Sequence, residues 1–206
     1  MITIDALKAL IEARVSGARV EIVPNDSPSA QTSLLLEAGT ATQVTAFLRD
    51  DPALRLDYAS NVTGVDWLDR VEKTKVKVKK SVDGVEKEVE ETVETRKAGY
   101  LETVYHLYSM ELKHGPVIIR LRTRHRGEGA SLPSLTPIWR SCEFQEREVF
   151  DLYGIRFVGH PDMRRLLMWD EFRGHPMRKD YREPDDYEYE PTPHDDVLEK
   201  SRKHIG

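Results

Sequence analysis

The sequence predicts an α+β fold: an antiparallel sheet with flanking helices, followed by a long extended C-terminal tail. Three observations carry this. An apolar stripe at helical spacing opens the chain, alternating apolar and polar residues fill its middle, and prolines and glycines interrupt everything after residue 158. The predicted division is an α+β core over residues 1–158, with a charged β-hairpin inserted at 72–98, and an irregular docking tail over 159–206.

Ile4, Leu7, Leu10, Ile11 and Val15 share one helical face, with Thr3 placed to cap the first turn. Arg19 to Val23 alternates and then meets Pro24, the pattern of a short strand. Residues 25–33 are a polar loop. Thr40 with Gln43 three residues on has the form of a capping box, and the helix it opens carries Val44, Phe47 and Leu48 before Asp51-Pro52 stops it. Leu54–Tyr58 and Asn61–Leu68 read as strands. Lys73–Val82 and Val85–Thr95 alternate valine with charge around Asp83-Gly84, a hairpin turn signal, and project from the sheet as an insertion. The strongest strands are Tyr100–Met110 and Pro116–Thr123; in the second, Val117, Ile119 and Leu121 face opposite to Ile118, Arg120 and Arg122. Thr136-Pro137 is a cap-then-proline pair that opens a helix running to Gly154.

The composition sets limits. The 206 residues include 11 prolines, enough chain for one ordinary domain plus irregular segments. Hydrophobic residues reach 39% and charged residues 33%, with a net charge of −5 that argues against a general nucleic-acid binder. No run approaches the roughly 18–20 apolar residues that cross a bilayer. The opening Met-Ile-Thr-Ile-Asp-Ala-Leu lacks a basic n-region, so the chain is expected to fold where it is made. The single cysteine, Cys142, excludes an internal disulfide and an all-cysteine cluster within one chain, and its place among apolar residues suits a core position. Neither a Walker motif nor GxGxxG occurs.

Residues 143–180 hold most of the chemistry-bearing side chains. Glu143, Arg147 and Asp151 stand four apart and form an acid–base–acid ridge, read first as an ion-pair ladder and second as a docking edge; Glu146 or Glu148 as a general acid is the functional alternative. His160 precedes Pro161 and His175 precedes Pro176 in a doubled Gly-His-Pro, so each ring projects from a defined turn. No Cys or His lies near either one, and a hydrogen-bonding role outweighs a metal site with Asp162 or Asp180. Arg164-Arg165 and Arg178-Lys179, with Arg120, Arg122, Arg124 and Arg126, make a basic set suited to docking on an acidic surface or to internal pairing with Glu and Asp; the arginine strand lacks the aromatic interleaving of a single-strand nucleic-acid platform.

The stretch from Glu146-Arg147-Glu148 through Asp151, Gly154, His160-Pro161 and Arg164-Arg165-Leu166-Leu167 resembles the signature of the C-type subunit family of NADH–quinone oxidoreductase, respiratory complex I. Gly174-His175-Pro176-Met177-Arg178-Lys179-Asp180-Tyr181 is similar to that family's GHPLRKDY element. Tyr105–Ser109 and Pro133–Thr136 are similar to its core strand and pre-helix loop, and the likeness is close over roughly 100–182. Phe144 departs from the usual tryptophan, Gln145 from an aromatic residue, and Met163 and Met177 from leucines, all changes that volume or exposure tolerates. The 72–98 hairpin has no counterpart in the pattern.

The resemblance implies an unfused structural subunit of the peripheral arm, with no catalytic, cofactor-binding or metal residue of its own. FMN and iron–sulfur clusters would belong to other subunits. Its partners would be chiefly the D-type subunit, which holds the quinone site, with the B-type and I-type subunits nearby, no nucleic acid, and membrane contact only through the complex. Its place would be the cytoplasmic side of the bacterial inner membrane. Two alternatives stand beside it: the equivalent subunit of a ferredoxin- or plastid-type quinone reductase or membrane-bound hydrogenase, and an RNA-binding module built on the arginine strand.

Overall fold

The computed structural model describes residues 2–82 and 85–182, the side chains of residues 73–93 aside. The element order is α1 (Ile4–Arg14), β1 (Val20–Val23), β2 (Ser33–Leu36), α2 (Ala41–Asp50), β3 (Tyr58–Trp67), β4 (Arg70–Val82), β5 (Val85–Lys97), β6 (Tyr100–Ser109), β7 (His114–Arg122), β8 (Ser131–Pro133), α3 (Cys142–Tyr153) and β9 (Arg156–Val158). Five strands form one sheet in the order β1-β2-β7-β6-β3. It is antiparallel except between β2 and β7, which run parallel.

Strand alternation explains the core. Registers Leu34↔Ile119, Tyr105↔Ile119, Thr103↔Leu121 and Val62↔Tyr105 put the large apolar side chains on one face. There they join Leu7 and Ile11 of α1, Val44 and Leu48 of α2, and Val149 of α3 in one cluster. Trp139, almost fully buried, donates its indole N–H to the Leu56 carbonyl at 2.7 Å, so one side chain both fills the core and ties the post-α2 turn to the chain entering α3. The other face carries Glu102, Arg120 and Arg122 beside Trp67.

Several sequence expectations are corrected. Thr3 caps α1, accepting from the Ala6 amide at 3.3 Å, but Thr40 makes no side-chain cap: its backbone is already helical (φ −111°, ψ −2°), and its hydroxyl turns back to the Glu37 carbonyl. Residues 54–57 are a turn, not a strand. Asp51 accepts the Ala53 amide at 2.9 Å, Arg55 takes φ +42°, and Leu54 and Leu56 tuck beneath α2, so their alternate burial imitates a strand. The helix expected from Thr136 begins only at Cys142, because the Thr136 hydroxyl and the Leu135 amide are drawn to the Glu146 carboxylate. β2 and the small parallel pair β8–β9 went unread: Ser-Leu-Leu-Leu does not alternate, and three residues give too little period.

The hairpin forms as expected. β4 and β5 pair in register from Arg70↔Lys97 to Val82↔Val85 as a separate two-stranded sheet that continues from the Trp67↔Tyr100 end of β3–β6. The Asp83-Gly84 turn lies outside the described residues, as does the tail beyond Arg182. Among the described residues no helix is long and apolar enough to cross a membrane.

The dual role of Trp139 can be separated. Replacing it with phenylalanine keeps most of the packing and orphans the Leu56 carbonyl, at about 1–2 kcal/mol. Alanine also opens a cavity, at about 3–5 kcal/mol. Urea unfolding of the full chain should rank the two in that order; equal midpoints would mean that the ring volume contributes nothing.

Candidate functional site

The helix α3 lies against β3, and a glycine sets how close. A Cβ on Gly64 would sit 2.4 Å from the Tyr153 ring, so only glycine allows this approach. Cys142, Glu146, Val149 and Asp151 face inward. Gly154 ends the helix in the left-handed region at φ +75°, its amide closing on the Phe150 carbonyl at 2.8 Å. The chain then returns along the helix it has just left.

Asp151 makes that return possible. It is fully buried, and its Oδ2 accepts three consecutive amides, of Leu166 (3.0 Å), Leu167 (2.7 Å) and Met168 (2.9 Å). Its Oδ1 accepts the Arg165 guanidinium at 2.6 Å. Burial pushes its pKa up, but the three amides and Arg165 outweigh burial and hold it below the usual aspartate value. Arg165 reaches on to the carbonyls of Phe172 (2.9 Å) and Gly174 (3.2 Å), so one ion pair organises ten residues of otherwise irregular chain.

The expected ladder along the helix is therefore not what forms. Arg147 pairs with neither Glu143 nor Asp151. It donates to the carbonyls of Arg164 (3.1 Å) and Arg165 (3.0 Å) and approaches Asp162 at 3.6 Å. Glu143 faces Arg140 at 3.7 Å. The returning loop competes better than the helix neighbours because it brings carbonyls to a buried guanidinium, while exposed pairs along a helix gain little.

The doubled Gly-His-Pro is a pair of clamps. Gly159 and Gly174 both take left-handed backbone, at φ +86° and +85°. The His160 Nδ1 accepts the Asp162 amide at 3.0 Å, which leaves the proton on Nε2 to donate to the Glu143 carbonyl at 2.9 Å. The His175 Nδ1 donates to the Asp151 carbonyl at 2.9 Å. The two carbonyls lie two turns apart on α3, about 12 Å along its axis. Burial, with the neighbouring Arg178 and Arg165, depresses the His175 pKa against the pull of the Asp151 carbonyl.

The second block ties the same loop to the sheet. Arg178 donates to the carbonyls of Tyr153 (2.7 Å) and Arg126 (3.0 Å), and the Lys179 amide donates to Asp66 at 2.8 Å. Arg126 grips Asp66 through Nε (2.5 Å) and Nη2 (2.7 Å), and Asp180 through Nη1 (3.0 Å) and Nη2 (2.7 Å). Asp66, despite burial, is held below the ordinary range by Arg126 and the Lys179 amide.

Glu146 is the exception among the buried acids, because no cation meets it. Ser134 Oγ (2.5 Å), the Leu135 amide (2.7 Å), Thr136 Oγ1 (3.0 Å) and Tyr105 Oη (3.1 Å) all donate to it. Burial nevertheless raises its pKa, because four neutral donors offset only part of the desolvation. With no exposed surface it has no route to a substrate, so it works as a bracket on the pre-helix loop rather than as a proton donor. Burial likewise raises the Cys142 thiol far above its usual range.

Of the residues singled out from sequence, Glu146, Arg147, Asp151, Gly154, His160, Arg165, Gly174, His175, Arg178 and Asp180 meet in this one assembly. Pro161 and Pro176 fix its turns. Lys179 contributes its amide and sets its ammonium 5.7 Å from the Trp67 ring. Glu148 stays exposed on the far side of α3, and the Arg164 guanidinium, itself exposed, reaches the Asp162 carboxylate. Asp66 and Glu102 were missed, while Arg126, singled out with the basic set, finds the internal acid partners expected of it in Asp66 and Asp180. The signal for Asp66 lay in β3, where it occupies the buried phase after Val62 and Gly64. Among the described residues no cluster of three His, Cys, Asp or Glu side chains could hold a metal ion.

The sequence matches the profile of the family described as respiratory-chain NADH dehydrogenase, 30 Kd subunit, over residues 34–187. It is 38% identical over 136 residues to the second C-type subunit of NADH-quinone oxidoreductase of Rhizobium meliloti (strain 1021), covering 66% of this chain and 57% of the relative. It is 38% identical over 186 residues to the C-type subunit of NADH-quinone oxidoreductase of Coxiella burnetii (strain RSA 493 / Nine Mile phase I), covering 86% of this chain and 74% of the relative. A chain in the structure of the membrane-bound sulfane sulfur reductase, an archaeal respiratory membrane complex, shares the fold at TM-score 0.55 and 20% identity over 95% of this chain and 88% of that one.

Arg165→Ala would leave the buried Asp151 charge held by amides alone and should cost about 3 kcal/mol, the low end for a broken buried pair. Arg164→Ala removes an exposed pair and should leave the urea midpoint unchanged. Equal effects for the two would mean that the Asp151–Arg165 pair does not hold the loop.

Proposed function

This chain belongs to the respiratory-chain NADH dehydrogenase 30 Kd subunit family, a subunit family of NADH-quinone oxidoreductase, and from that membership we propose that it is a cofactor-free scaffold in the peripheral arm of such a complex. It acts there without catalytic residues of its own, holding the quinone-site (D-type) subunit in place, with the B-type and I-type subunits nearby. FMN and the iron–sulfur clusters reside in other subunits, and the chain meets the membrane only through the complex, on its cytoplasmic side.

One observation carries this reading. The chemistry-bearing residues of the signature, Glu148 aside, are engaged in internal hydrogen bonds that shape a loop, and Asp66, Glu102, Glu146 and Asp151 are each 3% exposed or less. A site built for turnover keeps a titratable group facing its substrate; here the buried carboxylates all face inward. The loop instead presents apolar side chains outward. Leu167 is 56% exposed and Trp169 40%, on the segment that Asp151 fixes, and exposed apolar surface on a rigid frame suits a protein partner. The single cysteine, buried in the core, supports cluster ligation elsewhere in the complex.

Arg147→Ala and Arg165→Ala test this in membranes. Both should reduce the amount of assembled complex, while NADH–quinone turnover per assembled complex stays at the wild-type level. Normal assembly with strongly reduced turnover would place these residues in the chemistry and overturn the scaffold reading.

A further inference from the structure

The two Gly-His-Pro turns share a sequence and a left-handed glycine, yet they use their imidazole rings differently. At His175 the bond to α3 is a donated one, from Nδ1 to the Asp151 carbonyl at 2.9 Å. A second proton would enter that ring at Nε2 and leave the bond in place. Burial, with Arg178 and Arg165 beside it, also holds the His175 pKa down.

At His160 both ring nitrogens are committed. Nε2 donates to the Glu143 carbonyl at 2.9 Å, and Nδ1 accepts the Asp162 amide at 3.0 Å. The neutral ring satisfies both bonds. An imidazolium has no lone pair with which to accept, so its Nδ1–H would meet the Asp162 N–H donor against donor.

The charged groups around this ring decide what happens next. On α3, Glu143 turns its carboxylate to Arg140 at 3.7 Å, and Arg147 stands 3.6 Å from Asp162. On the loop, Arg164 holds the Asp162 carboxylate at 2.6 and 2.7 Å, with Asp170 near Arg164. Arg164, with Arg147 and the His160 ring, keeps the Asp162 carboxyl below the usual aspartate range. A carboxylate therefore stands beside the ring at any pH where an imidazole titrates. Its present pair with Arg164 is exposed, so exchanging that partner for an imidazolium costs little.

We propose that the Gly159–Asp162 turn is a proton-operated hinge. Protonation of His160 at Nδ1 breaks the bond from the Asp162 amide and forms one from Nδ1–H to the Asp162 carboxylate, which releases Arg164. The proton comes from solvent, and no covalent bond of the chain changes. The hinge stands at the entry to the loop that carries Leu167 and Trp169, while the Asp151 cradle and the His175 clamp keep their bonds in both states. Acidification thus reshapes the first edge of the loop and leaves its frame closed. The bearing of the hinge on docking rests on the scaffold reading; the hinge itself does not.

Nuclear magnetic resonance of the full chain, with nitrogen-15 label, tests each step. At neutral pH the His160 ring should carry its proton on Nε2. As the ring takes up its second proton, protection of the Asp162 amide from exchange should fall by about tenfold, the loss expected for one hydrogen bond. The Leu167 and Met168 amides should keep their protection across the same range. The Arg164 Nε–H signal should move with the His160 ring in wild type and stand still in Asp162→Ala, which lacks the receiving carboxylate. A neutral ring protonated on Nδ1, an Asp162 amide equally protected in both states, or an Arg164 signal that moves alike in both chains would overturn the proposal. The isolated chain is used throughout, so either result leaves the assembly reading untouched.

Discussion

The Asp151 carboxylate is fully buried, and a buried charge needs several converging donors to stay ionised. It has four: three amides in a row and one guanidinium. Three consecutive N–H groups can converge on one oxygen only if the backbone carrying them curls around it. The carboxylate therefore dictates the path of residues 165–168, and Arg165 carries the constraint on to Phe172 and Gly174. A stretch without regular secondary structure acquires one conformation because a charge on the helix beside it has no other way to be satisfied.

The remaining contacts follow from that fixed return. Once the chain runs back along α3, the two histidines reach helix carbonyls at 143 and 151, and Arg147 reaches carbonyls of the loop. The second block then falls against the sheet, where Asp66 gathers Arg126 and the Lys179 amide. Helix, loop and sheet are joined by charged groups at positions where apolar packing alone would tolerate sliding. Such joints fix orientation, because charge-assisted hydrogen bonds carry direction, which hydrophobic contact does not. Membership of a respiratory-complex subunit family accords with such a frame.

Much of this was legible in the sequence, and the limits have physical causes. Long amphipathic periods gave α1, β6 and β7, and Gly154 marked the helix end because αL backbone favours glycine. The density of acids, arginines and Gly-His-Pro turns over 143–180 drew attention to the stretch where helix, loop and sheet are tied together. Their pairing was not readable, because helical spacing suggests neighbours along α3 while the folded chain supplies better ones from the loop. Thr136-Pro137 looked like a helix start for a similar reason: a local rule was overridden by Glu146, ten residues away in sequence. Asp66 and Arg126 were invisible as a pair, being 60 residues apart. β2, a run of three leucines, does not alternate, and three-residue β8 and β9 carry no period to detect.

Everything rests on Asp151 being ionised within its cradle, and its own titration measures this most directly. Unfolded, the group ionises near the ordinary aspartate value; folded, the amides and Arg165 depress it. A depressed folded pKa contributes stability that is present above the unfolded value and is lost as pH falls through the folded one. Carbon-13 resonance of the Asp151 side-chain carboxyl in the full chain should therefore titrate below about 3.9, the ordinary value, with the Leu166, Leu167 and Met168 amide signals shifting over the same range. Titration at or above that value, or amides that do not follow it, would contradict the cradle and the account built on it.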